Sequence, residues 1–516
     1  MSARRTEKKV KKPAALYRRA AQRVSARDTE PPRRIAFVGA ECYPFVKTGG
    51  LGDVMYALPR ALLSLSCEVR VLLPRYRCIP EAYRESMRFV TGFTMELCAD
   101  GRSYPVGIWE LERDGVSVLF LENDEFFGVG NPYTDLVRDI PRYCYFNRAA
   151  LEALNVLGWA PDVIHCHDWQ ASLVPVYLRT LYADTPVGRA KSMLTIHNLR
   201  FQGVHNLPTV LYWSSLPYSL VDYRLLQQGY ADGNMFKCGL AFADCITTVS
   251  ATYAAEIQTE ECGEGLDAHL RYHAGKLHGI VNGIDTALWN SASDRLLAAP
   301  YGVEDAPEKK RENKRALQER LGLERDGECM LLAVISRLTD QKGLDLVCAA
   351  LPRLLDGETQ LVVLGTGEER YEEAFRRFAE EHRGRVSANI LYDEALAHEI
   401  YAGADAFLVP SLFEPCGLTQ LIAMRYGTVP IVRETGGLRD TVAPYCEEDG
   451  TGNGFRFARY EPQALLEAVE RAKAVFFAQR GRWDEIVRRD MEKDVSWENA
   501  ARQYRALYTD LTRESR

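Results

Sequence analysis

The sequence predicts two α/β domains, each a doubly wound parallel sheet, facing each other across a cleft. Three observations predict it. Short apolar runs of strand length alternate with helical patterns along nearly the whole chain, as in parallel strands joined by crossover helices. The alternation breaks after Asn282-Gly283-Ile284-Asp285, in a polar stretch with Ala, Ser and Asp that reaches about Pro307, so the inter-domain connection belongs there. Thr48-Gly-Gly-Leu-Gly-Asp53 returns as Thr435-Gly-Gly-Leu-Arg-Asp440, a T-G-G-L-x-D echo between the two halves. With 516 residues, the chain has enough material for two separate cores.

Taken in order, residues 1–33 are expected to be a basic, disordered extension without the apolar stretch of a secretory signal. Residues 1–34 carry 12 Lys/Arg against three Asp/Glu, so a net charge of −7 leaves −16 on the remainder. An acidic body argues against nucleic acid as the main partner. No apolar run approaches the ~20 residues of a membrane helix. Thirteen cysteines without a C-x-x-C pair suit the reduced thiols of a cytoplasmic protein.

A first domain over 34–290 opens with a strand at Ile35–Val38 and a helix through Met55, Leu58, Leu62 and Leu65. Strands follow at Val69–Leu73, Val116–Leu121, Val163–His165, Met193–Ile196, Cys245–Val249 and Gly279–Val281, with helices at Tyr143–Leu157 and Gln170–Leu181. The second domain, 291–490, starts with a helix at Lys309–Leu321. Its strands are expected at Met330–Ile335, Leu361–Leu364, Asn389–Tyr392, Ala406–Val409 and Val429–Val432. The last segment, 491–516, has helical spacing at Trp497, Ala500, Tyr504 and Tyr508 with Ser496 as N-cap, suited to brace the first domain.

Six strand-end segments hold the candidate chemistry. Lys47-Thr-Gly49-Gly50-Leu opens a helix, and its adjacent glycines let a ligand approach the backbone; the plain alternative is a glycine turn with a surface lysine. Arg337 and Lys342 sit on a loop after a buried strand, two cations suited to a pyrophosphate leaving group. Glu414-Pro-Cys416-Gly417-Leu418-Thr419 joins a strand to a helix ending at Gly427, so Glu414 either meets a sugar or caps that helix. The amides of Gly417 to Thr419 would suit a phosphate. His165 and His167 are expected on opposite faces of their strand, and without a third histidine-bearing element at zinc spacing or a D-x-D no metal site is expected; Asp168, at the strand end, suits a sugar or acceptor hydroxyl. His197 and Asn198 end another strand, where the histidine serves either the backbone or a substrate. Gly365-Thr-Gly367 is half of a dinucleotide fingerprint, with Arg370 where the third glycine would stand.

Together these residues resemble the bacterial glycogen synthase and plant starch synthase family, retaining glycosyltransferases of the GT-B fold. The motifs run in order from Arg34 to about Tyr508: KTGGLGDV, HCHDW, TIHNLRFQG, VNGID, ENKRALQ, SRLTDQKGLDL, GADAFLVPS, FEPCGLTQL and YGTVPIVRETGGL. The resemblance implies transfer of glucose from ADP-glucose to the non-reducing 4-hydroxyl of an α-1,4-glucan, with retention and with no metal or other cofactor. It implies that Lys47, Gly49, Gly50 and Asp53 lie by the diphosphate and reaction centre. Arg337 and Lys342 would neutralise the departing phosphate, and Glu414 would hold the glucosyl group and its oxocarbenium-like transition state. His197 would bond the sugar, Asp168 would position sugar or acceptor, and Asn198, Asn282, Cys416, Gly417, Leu418 and Thr419 would complete the substrate surface. The second glutamate that many GT-B relatives place eight residues on is Ile422 here, as in the glycogen and starch synthases, while Asp139-Ile-Pro-Arg142-Tyr143 departs from the usual wording and is left out of the site. The competing classes are a catalytically silent glucan-binding protein on the same fold and a nucleotide-sugar epimerase.

Overall fold

The structure, a computed structural model, describes residues 34–513; the basic extension expected to be disordered lies outside the described residues. Continuous apolar runs such as Ile35–Val38 and Ala406–Val409 are buried on both faces, which is what a parallel sheet covered by helices requires.

Among the described residues the first sheet has nine strands: β1 (Arg34–Val38), β2 (Glu68–Pro74), β3 (Arg88–Glu96), β4 (Ser103–Arg113), β5 (Val116–Glu122), β6 (Val163–His167), β7 (Lys191–Ile196), β11 (Cys245–Thr248) and β12 (Leu277–Gly279). Their order is β12-β11-β7-β6-β1-β2-β5-β4-β3. Three short strands, β8 (Val204–Asn206), β9 (Gln227–Gln228) and β10 (Asp232–Asn234), form a small separate sheet. The second large sheet is parallel throughout, in the order β15-β14-β13-β16-β17-β18. Its strands are β13 (Met330–Ile335), β14 (Thr359–Leu364), β15 (Val386–Asn389), β16 (Ala406–Val409), β17 (Val429–Arg433) and β18 (Phe455–Phe457).

Several expectations are corrected. The first sheet is not wholly parallel: β3 and β4 add an antiparallel edge beyond β5. In β3 only Met95 is buried, and β4 alternates only over its first half, so both lack the continuous apolar signal of the parallel strands. β15 ends at Asn389, where a strand was expected to begin, and Tyr392 stands 79% exposed beyond it. β12 likewise lies two residues earlier than Gly279–Val281. The helix expected over Gln170–Leu181 is a 3-10 turn at Trp169–Ala171 followed by Leu173–Leu178, because the next amides tighten to Arg179 N–Val176 O and Thr180 N–Tyr177 O. The helix expected from Tyr143 begins earlier, at Leu136 behind the Asp135 cap, so Asp139-Ile-Pro-Arg142-Tyr143 lies within it.

One core runs from Ile35 to Ile280 and takes in Trp497, Ala500, Ala501, Tyr504 and Tyr508; the other runs from Ile284 to Val495. The chain therefore crosses between cores twice, and the crossings touch. Ile284 N donates to Val495 O at 2.8 Å, and a Cβ on Gly283 would lie 2.4 Å from Trp497 N, closer than any side chain allows. After the second crossing the Trp497–Arg513 helix packs on the Gly50–Leu63 helix.

Candidate active site

The carboxyl ends of the two large sheets face each other across a cleft of about 1170 Å³. All fifteen residues that the family resemblance places at the substrates line it. Lys47 and Gly49 come from the turn after β1, and Gly50 and Asp53 from the first turn of the Gly50–Leu63 helix that follows it; Asp168 follows β6, and His197 and Asn198 follow β7. Asn282 comes from the first crossing, Arg337 and Lys342 from the loop after β13, and Glu414 and Cys416 to Thr419 from the turn after β16. The convergence is topological, since parallel strands present all their carboxyl ends on one side.

On the second domain's wall, Glu414 is buried, and its Oε2 accepts from Lys342 Nζ at 2.7 Å and Ser411 Oγ at 2.8 Å. Arg337 is exposed to the cleft, and among the described residues its guanidinium has no carboxylate partner. One cation is thus tied to the carboxylate and the other is available to an anion. Gly343, after Lys342, has φ +68°, and a Cβ there would meet Pro410 O at 2.0 Å, so the cation loop and the Glu414 turn pack backbone to backbone. Exposed polar contacts hold that loop's outer side: Asp340 N donates to Glu368, and Tyr371 Oη donates to Asp340 at 2.9 Å. The amides of Gly417 to Thr419 begin the Thr419–Arg425 helix at the cleft. Burial pushes the Cys416 thiol up to about 12, so this side chain packs as an uncharged group. Asn282 Oδ1 is buried without a hydrogen-bond partner, an acceptor open to a ligand hydroxyl.

On the facing wall, Lys47 Nζ pairs with Asp53 Oδ1 at 2.8 Å. Burial works against the Lys47 charge, but Asp53 outweighs it and holds the ammonium above its ordinary range. Asp168 has φ +55° and is fastened by His197 N at 2.8 Å and Asn198 N at 3.4 Å. Burial nevertheless raises its carboxyl to about 7. Burial lowers His197 to about 3, so near neutral pH its ring is an uncharged hydrogen-bonding group.

His165 and His167 lie on one face of β6, with ring centroids 4.2 Å apart, because residues two apart along a strand share a face. Their opposite-face placement is thereby corrected. His167 Nδ1 lies 2.9 Å from His197 Nε2, while His165 is spent on Tyr508 Oη at 2.7 Å and Thr195 Oγ1 at 2.6 Å. Among the described residues no group of three or more His, Cys, Asp or Glu is arranged to hold a metal ion.

Sequence reasoning missed Glu41, three residues beyond β1 and 2% exposed. It accepts from Thr48 N at 2.5 Å, Thr48 Oγ1 at 2.7 Å and Gly49 N at 3.1 Å, and from the Tyr133 hydroxyl. Its position at a parallel strand's end was the available signal. Tyr392 was missed because it was assigned to a strand, yet it lines the cleft.

The walls also touch away from Glu414. Glu256 ends the Ala251–Glu256 helix of the first domain and accepts from Gly436 N at 3.1 Å and Thr435 Oγ1 at 3.2 Å, at the start of the second domain's Gly436–Thr441 helix. Asp440, on that helix, accepts in return from Thr252 N at 2.9 Å and Thr252 Oγ1 at 2.5 Å. Arg60 Nη1 reaches Asp285 Oδ2 at 3.2 Å.

Two family models match the chain, "Starch synthase catalytic domain" over residues 34–272 and "Glycosyl transferases group 1" over residues 318–482. The glycogen synthase of Lachnospira eligens is 46% identical over 480 residues, covering 93% of this chain and 100% of that protein. That of Lachnoclostridium phytofermentans is 43% identical with the same coverage. Among solved structures, the catalytic domain of starch synthase IV from Arabidopsis thaliana, bound to ADP and acarbose, superposes with TM-score 0.87 at 36% identity, covering 94% of this chain and 100% of that one. Sucrose-phosphate synthase from Thermosynechococcus elongatus, at 18% identity and TM-score 0.59, shares the fold.

Proposed function

This chain belongs to the glycogen synthase and starch synthase family, and from that premise we propose that it lengthens an α-1,4-glucan with glucose from ADP-glucose, retaining the α configuration. It is a glycosyltransferase, and its fold is the two-domain GT-B arrangement. The observation that carries the donor and acceptor assignment is the pairing of Lys342 with buried Glu414 beside unpaired Arg337, opposite the Lys47 turn and Asp168.

In this proposal the nucleotide diphosphate lies against the amides of Gly417 to Thr419, with Arg337 and Lys342 taking up the charge that grows as the glycosidic bond breaks. Lys47, Gly49, Gly50 and Asp53 approach it from the first domain. Glu414 holds glucosyl hydroxyls and stabilises the developing positive charge, and its contact with Lys342 links that carboxylate to the leaving group. Neutral His197 and Asn198 bond the sugar, while Asp168 and Asn282 accept from sugar or acceptor hydroxyls. The departing phosphate takes the acceptor's proton on the same face, so the base is supplied by the donor itself. Glu41 acts one step back, holding the Thr48-Gly49 backbone in place. Among the described residues no helix is long and apolar enough to cross a membrane, and a cytoplasmic setting completes the proposal.

The test is incorporation of labelled glucose into glycogen, offering ADP-glucose and UDP-glucose separately, in chelator, with the Glu414→Ala variant alongside. Expected are strong incorporation from ADP-glucose and a loss of roughly 100-fold or more in the variant. A folded chain that incorporates from neither donor would point to the silent glucan-binding protein instead.

A further inference from the structure

We propose that Glu256 is a positioning residue for the transfer: from the first domain it fixes the turn that carries Glu414 in the second. This rests on the assignment of Glu414 to the glucosyl group. Glu256 reaches across to Thr435 Oγ1 and Gly436 N, and the turn it grips is pressed against the backbone of the Glu414 loop. Gly437 N donates to Glu414 O at 3.0 Å and Pro415 O at 3.2 Å. A Cβ on Gly436 would lie 1.9 Å from Glu414 O, and one on Gly437 would lie 2.0 Å from Cys416 O. No side chain intervenes, so a displacement of the Thr435-Gly436 turn passes directly to the Glu414 peptide. The same loop is held from its other side by Arg433, whose Nε donates to Ser411 O at 2.7 Å and whose guanidinium lies in the field of Glu256.

The position of the first domain is thereby read at Glu414. When the Ala251–Glu256 helix sits on the Gly436–Thr441 helix, Glu256 and Gly437 clamp the loop; when the walls part, the Thr435 and Gly436 donors lose their carboxylate. The neighbouring Asp440–Thr252 contact joins the same two helices, but among the described residues the Asp440 side chain makes no hydrogen bond to the Glu414 loop, which separates positioning from simple domain adhesion.

The experiment measures kcat and KM for ADP-glucose, with glycogen as acceptor, for the full chain and for Glu256→Ala, Glu256→Gln, Glu256→Asp and Asp440→Ala, with thermal midpoints for each. Glu256→Ala is expected to lower kcat by about tenfold or more while KM changes by less than about twofold. Glu256→Gln keeps an acceptor at the same reach and is expected within about threefold of the parent, as is Asp440→Ala. Glu256→Asp keeps the charge but withdraws it by one methylene, and is expected to fall with the alanine variant. If Glu256→Ala does not fold, the contrast between Gln and Asp decides. Equal losses from Glu256→Ala and Asp440→Ala, a change in KM alone, or full activity in Glu256→Asp would overturn the proposal. A parent chain that transfers no glucose removes this proposal together with the assignment of Glu414. An active parent whose Glu256 variants all match it removes this one alone.

Discussion

The two T-G-G-L-x-D turns begin alike and are used differently. In each, a carboxylate accepts from the threonine hydroxyl and the next glycine's amide: Glu41 at Thr48 and Gly49, Glu256 at Thr435 and Gly436. The first turn draws its carboxylate from its own domain, and its closing aspartate pairs with Lys47. The second draws its carboxylate from the other domain, and its closing aspartate returns the contact to Thr252. Their glycines differ more sharply. A Cβ on Gly49 would meet nothing within 4 Å and one on Gly50 only Leu418 at 3.5 Å, whereas Gly436 and Gly437 are filled by the backbone of Glu414 and Cys416. One local motif thus leaves open space in the first half, and in the second has that space taken by the Glu414 loop.

The comparison breaks most visibly at the glycines. Gly436 has φ +44° and no room for a methyl group, so Gly436→Ala should cost roughly 2–5 kcal/mol of stability in urea unfolding and abolish glucose transfer. Gly49→Ala should move stability by less than about 1 kcal/mol and act instead on KM for ADP-glucose. Equal midpoints for the two variants would dissolve the distinction.

Next comes the carboxylate of the first turn. Glu41→Ala leaves two backbone amides and two hydroxyls without their acceptor, for an expected loss of about 2–3 kcal/mol. Activity should drop roughly 100-fold through misplacement of Lys47 and Gly49. If Glu41→Ala instead retained most of its kcat, the open turn would be rigid without its carboxylate and the parallel with Glu256 would be lost.

The smallest effect sharpens the comparison from outside it. Asp168 is a third carboxylate that receives main-chain amides, yet burial raises it to about 7. The folded chain then keeps a proton that the unfolded chain releases near the ordinary aspartate value of about 4, so stability should decline as pH rises from about 4 to about 7 and level off above. Asp168→Asn should flatten that part of the urea-midpoint profile. Identical slopes would mean the amides, not burial, set this carboxyl.

What the sequence made legible was any recognisable motif that follows a buried parallel strand. Lys47, Asp168, His197, Arg337 and Glu414 all belong to one, and an apolar run followed by such a turn is visible without coordinates. The edge strands Arg88–Glu96 and Ser103–Arg113 were not, because they are mostly exposed or half-buried and present no apolar run beside the fully buried strands. The two histidines of β6 were misplaced although the period of two fixed their common face. Glu41 is a single acid in an irregular turn, and Glu256 is a single acid at the end of a short helix, outside every recognised motif. Its partner lies 180 residues away, a pairing that no local pattern announces.

The double crossing beside Gly283 also sets an order of assembly. His165, fully buried in the first core, is bonded to Tyr508, 343 positions later in the chain. At ribosomal speeds of roughly 5–20 residues per second, the imidazole is made about 20–70 s before the phenol that completes it. During that interval the nascent first domain has the seats of Trp497, Tyr504 and Tyr508 uncovered along the helix that follows the open glycine turn. The first domain to be synthesised is therefore the last to close, and its finishing piece arrives only after the second domain has been made.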